Sequence, residues 1–198
     1  MSLRNLLFLG LIALSVWQCR ASETVSLGPG IRVDHAPQQT TIANGKPFAH
    51  EGYQITPLAD FTVEAKVLSR ENYYLDRESD LSPTDLALGW QKMSDEAVLE
   101  QIDIRQSGRW YHWRVQQFPI PRRDIETQSA NMHIVPADKG VAAMLDRVRS
   151  GQVISLTGQL IRADSPDGWH WQSSLTREDT GARACELFYV TALYIQSP

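Results

Sequence analysis

The stretch Asp138-Lys139-Gly140-Val141-Ala142-Ala143-Met144-Leu145-Asp146-Arg147-Val148-Arg149-Ser150-Gly151-Gln152-Val153-Ile154-Ser155-Leu156-Thr157-Gly158-Gln159-Leu160 decides the fold class. In its first half Val141, Met144, Leu145 and Val148 recur at the spacing of one helical face, and Gly151 follows as a stop. The second half changes to a strand pattern interrupted by Gly158, where a bulge or sharp coil lets a small sheet close on itself. A helix is therefore predicted over 138–150 and a strand over 152–162.

Upstream, Phe61, Val63, Ala65 and Val67 alternate with Thr62, Glu64 and Lys66, the period of a half-buried strand. Ile102 to Gln106 and Arg109 to Val115 flank Ser107-Gly108, a hairpin signal. Ser82-Pro83-Thr84-Asp85 reads as the capped start of a short helix that Gly89 ends. Downstream, Asp167-Gly168 is a turn, Trp169-His170-Trp171 a short extended arm, and Glu186 to Ile195 a last strand. The order is strand, two-stranded hairpin, helix, strand, strand. Five strands with a helix between the third and fourth match the OB-fold, a small Greek-key barrel, within a mainly β class. An open α+β sheet is the alternative.

The chain has 198 residues, 42% apolar and 21% charged, near the globular average, which excludes a disordered or collagen-like protein. Met1 to Ala21 reads as a secretion signal: Arg4, the apolar run Leu6 to Trp17, then Cys19-Arg20-Ala21 with small residues at the cleavage positions. An uncleaved anchor is the alternative, and would be the only membrane contact. Cleavage after Ala21 leaves 17 basic against 23 acidic residues, a net charge of −6, which disfavours nucleic acid. Residues 22–57, rich in Gly, Pro, Gln and Thr, read as an extended lead-in, and 58–198 as the barrel domain. Cys185 is the one thiol of the processed chain, and its strand-like surroundings suggest an inert buried group.

The strings Tyr73-Tyr74-Leu75-Asp76-Arg77-Glu78-Ser79-Asp80-Leu81-Ser82-Pro83-Thr84-Asp85-Leu86-Ala87-Leu88-Gly89-Trp90, Ile120-Pro121-Arg122-Arg123, Ser129-Ala130-Asn131-Met132-His133 and Ser174-Leu175-Thr176-Arg177-Glu178-Asp179-Thr180-Gly181 resemble a group of exported bacterial proteins. The likeness spans roughly 60–193 and implies no activity. Gln91 and Gln128 depart from its pattern, which has Gly and His there, so a histidine pair at 128 and 133 is missing.

Candidate site residues fall in four groups. Trp110 and His112 lie in an aromatic arm that could stack a planar or sugar ring, or simply fill a core. Arg122 and Arg123 follow two prolines and could fork onto a carboxylate or phosphate, or pair with surface acids. Asp76 and Arg77 after the first strand, with Arg177, Glu178 and Asp179 before the last, fall in the two loops that line the usual OB binding face. They could recognise a ligand or clasp one another. His133 adds a polar group near these arginines, and it or His112 would be the base of a hydrolase, the first alternative function. A single-stranded nucleic-acid module is the second. No metal-ligand spacing, nucleophile elbow or cofactor motif is present. The expected function is a non-catalytic binding or accessory module of the cell envelope, with a peptide, a glycan fragment or an envelope protein as partner.

Overall fold

The computed structural model describes residues 24–176 and 185–196, and within them the protein is mainly β, built on one large mixed sheet. Strand β3 (Tyr53–Asn72) is the spine, with β1 (Gln38–Thr41) and β2 (Phe48–His50) paired to it. It pairs with β4 (Thr84–Gly89), which pairs with β7 (Ser129–Pro136). Strand β7 runs parallel to β10 (Glu186–Ile195), β10 is antiparallel to β8 (Val153–Asp164), and β8 is antiparallel to β3. The pairings thus run through five strands and return to β3. Strand β9 (His170–Gln172) adds to β8. A hairpin of β5 (Ile102–Ser107) and β6 (Trp110–Val115) forms a separate two-stranded sheet.

Two of these elements correct the reading from sequence. The predicted hairpin exists, but among the described residues its arms pair only with each other, and β4 and β7 take the places in the main sheet assigned to them. Thr84 to Gly89 is strand, not helix, and all six residues are buried. Pairing on both edges, with Leu86 and Leu88 in the core, outweighs the local cap signals at Ser82 to Asp85. The helix before β8 spans Lys139–Leu145, shorter than predicted, capped where Asp138 accepts the Val141 amide at 2.9 Å. Its Val141 and Leu145, and Val148 beyond, pack into the main core.

That core lies on one face of the five paired strands: Phe61, Val63, Leu86, Leu88, Met132, Ile134, Leu156, Leu160, Phe188 and Val190. A second cluster, with Tyr53, Ile55, Val135, Ile161 and Leu187, covers part of the opposite face beneath Trp169 and Trp171. Strand β3 serves both because a bulge between Pro57 and Ala59 switches which of its side chains face inward. Its first five residues come from the stretch read as lead-in. Gly158 sits between Phe61 of β3 and Val190 of β10, and the bulge falls opposite it, between Val190 and Ala192.

The start of the described chain is strapped down by one carboxylate. Glu96 accepts the Leu27 and Gly28 amides at 2.6 and 2.7 Å and the Ser26 hydroxyl at 2.8 Å. Its fourth partner is the ammonium of Lys66, 2.7 Å away and only 2% exposed. Burial raises the Glu96 carboxyl, but the amide, ammonium and hydroxyl donors outweigh it and hold the group down at about 2.

Candidate functional site

Alternation fixes what β4 and β7 show on the face away from the core. Leu86, Leu88, Met132 and Ile134 point inward, so Asp85, Ala87, Asn131 and His133 point outward, with Asp85 directly opposite His133. These outward polar residues are buried all the same, Asp85 completely and His133 to 4% exposure. The cover is the β5–β6 hairpin, folded back over them. Gln106 donates to Asn131 Oδ1 at 2.6 Å, and the Tyr111 hydroxyl meets Ser129 Oγ at 3.2 Å. Burial pushes the Tyr111 phenol up to about 12.

The tip of the hairpin carries the most heavily bonded side chain of the region. Gly108 and Arg109 both have positive φ, 56° and 71°, the mirror-image turn that matches strand twist. Glycine is at home there. Arginine is not, and the conformation costs roughly 1 kcal/mol. What offsets it is a cage. Arg109 Nη2 and Nε donate to both oxygens of Asp76 at 2.7 and 3.0 Å. Its Nη1 donates to Asp85 Oδ1 at 2.9 Å and to the Ser82 carbonyl at 2.8 Å. The guanidinium lies 3.9 Å over the Tyr73 ring, whose hydroxyl accepts the Arg109 amide at 3.0 Å. Bonding to Arg109 holds the Asp76 carboxyl below its usual range. For Arg109 burial opposes the charge, but Asp76 and Asp85 outweigh it and raise the pKa.

Beside this cage His133 Nδ1 is 2.9 Å from Asp85 Oδ1, off the line of a hydrogen bond. Its ring lies against Trp171, centroids 4.6 Å apart. Asn131 Nδ2 reaches the Arg109 carbonyl at 3.3 Å and Cys185 Sγ at 4.0 Å. A histidine against a carboxylate is the elementary pairing of acid–base catalysis, but here both are sealed from solvent and the carboxylate is already held by arginine. The arrangement ties two loops and a hairpin to the sheet.

A second tie lies next to it. Arg77 Nη2 reaches both oxygens of Asp167 at 2.7 Å and Ser165 Oγ at 3.2 Å, and its guanidinium sits 4.9 Å over Trp169. This joins the loop after β3 to the turn after β8. The Arg77 bonds hold the Asp167 carboxyl below its usual range.

The predicted residues therefore separate. Asp76 is part of the cage, His133 lies beside it against Asp85, and Arg77 forms the neighbouring tie. Trp110 is 44% exposed next to Arg109, and His112 lies further along the outer face of β6, opposite Arg105. Arg122 and Arg123 belong to a short helix (Arg122–Thr127) under the hairpin base. Arg122 pairs there with Glu126 at 2.8 Å and lies 5.9 Å over Trp113, and the Arg123 carbonyl accepts the Thr127 hydroxyl. Arg177, Glu178 and Asp179 lie outside the described residues. Sequence reasoning missed Arg109 and Asp85. An arginine in the second position of a Gly-x hairpin turn was the available signal for the first.

Beside these ties two large apolar side chains stand in solvent. Between Tyr73 and Asp76 the loop after β3 exposes Tyr74 at 78% and Leu75 at 100%. Comparison with protein-family models, curated proteins and solved structures finds no match.

Proposed function

We propose that the chain is an exported, non-catalytic binding module on a closed barrel of the OB type, and that Tyr74, Leu75 and Trp110 are its recognition residues. The barrel reading is supported by the cyclic pairing β3-β4-β7-β10-β8, the parallel β7–β10 contact and the single helix between β7 and β8. The export reading rests on Met1 to Ala21.

The observation that carries the binding reading is a fully exposed leucine and a nearly exposed tyrosine on a loop whose base is fixed at both Asp76 and Arg77. Folding gains nothing from leaving Leu75 in water, whereas burial in a partner is worth about 1.5–3 kcal/mol per large apolar side chain. A braced loop loses little entropy on docking. Exposed Glu71 and Asp80 flank this tip. The partner is accordingly a protein with an apolar recess and a basic rim, and an anionic membrane or nucleic acid is disfavoured.

A photo-crosslinking side chain installed at position 75 tests this in intact envelopes. A discrete adduct with one envelope protein is expected, and it should be absent when the probe is moved to position 194. Tyr194 is 67% exposed but lies six residues along β10 from Phe188. No adduct, or the same adducts from both positions, would contradict the proposal.

A further inference from the structure

We propose that the cage of Tyr73, Asp76, Asp85 and the Ser82 carbonyl is a binding site for an arginine side chain, which Arg109 fills in the resting protein and a partner's arginine can take over. The proposal deepens the binding reading by naming the partner's chemistry.

The cage has every part that guanidinium recognition uses. One carboxylate grips two nitrogens side by side, a second carboxylate and a carbonyl hold the third, and an aromatic face lies 3.9 Å beneath. A lysine, with one point charge, could not satisfy that set. The occupant is delivered at a cost, from a turn position where arginine is strained. Nor is the cage fully matched to its tenant. The Ser82 hydroxyl and His133 Nδ1, both more than nine-tenths buried, make no hydrogen bond among the described residues.

The occupant is also placed to leave. Among the described residues the hairpin pairs with no other strand, so lifting its tip breaks no ladder of the main sheet. Its base is pinned separately by Ile102, Ile104, Trp113 and Val115, which pack on Met93 and Ile125. The tip can therefore open while the base holds. Its neighbours Tyr74, Leu75 and Trp110 are the residues exposed for docking.

Chemical rescue tests the cage directly. Arg109→Ala should lose thermal stability, and millimolar ethylguanidinium should restore it saturably, with ethylammonium ineffective and the wild type not stabilised by either. If the variant does not fold alone, recovery of folding by ethylguanidinium is the same readout. Adding Asp85→Asn should abolish rescue. An acetylated arginine amide should then bind Arg109→Ala at least tenfold more tightly than the lysine amide. Equal rescue by ethylammonium, no rescue, or no preference for arginine over lysine overturns the proposal. No crosslink enters this test, so it can fail while position 75 still finds its partner, and the reverse.

Discussion

Single residues in this protein do structural work that their type alone does not announce. Glu96 is the clearest case, because one carboxylate gathers two amides, a hydroxyl and a buried ammonium. Its pKa falls from 4.5 to about 2 on folding, so the unfolded chain binds the extra proton between those values. The stabilisation is complete above pH 4.5, at most about 3 kcal/mol, and is lost as pH falls toward 2. Glu96→Gln should therefore be less stable than wild type at neutral pH by denaturant titration, with the gap closing below pH 4.5. A constant gap would mean that the carboxylate charge is not what matters. Lys66→Met leaves that carboxylate without its ammonium and should cost about 3–5 kcal/mol, as removal of one partner of a buried pair does.

At the scale of elements, much of the sheet was legible. The alternation at Phe61 to Val67, the strand pattern around Gly158 and the last strand at Glu186 all correspond to strands of the main sheet. The aromatic arm was legible too. Tyr111, Trp113 and Val115 are half-buried while Trp110, His112 and Arg114 are exposed, as alternation requires. Strands β4 and β7 were not legible: at β4 the cap signals of Ser82 to Asp85 favour a helix locally, and the pairing on both edges that overrides them is not local. Their outward residues Asp85, Asn131 and His133 are polar, which on a bare sheet means solvent. Here the β5–β6 hairpin, which lies between the two strands in sequence, folds back to bury them, and the pattern within either strand does not record that. Gly158 tests the tight part of the sheet. A β-carbon there would stand 1.9 Å from the Tyr189 carbonyl, a backbone atom that cannot turn aside. Gly158→Ala should cost about 2–3 kcal/mol in chemical denaturation, and an unchanged midpoint would mean that β8 and β10 are further apart than described.

For the whole molecule, three of the polar residues that the sequence offers as ligand groups are each paired with a residue outside that set. Asp76 holds Arg109, Arg77 holds Asp167, and Arg122 holds Glu126. In the proposed reading, recognition falls to what they leave in water, the apolar side chains of Tyr74 and Leu75 on a loop held by charged ties. The decisive measurement is crosslinking yield from a probe at position 110, compared between wild type and Tyr74→Ser/Leu75→Ser at matched melting temperature. A yield at least tenfold lower in the variant, with folding unchanged, is the expected result. An equal yield would contradict the assignment of the loop tip as the surface that meets the partner.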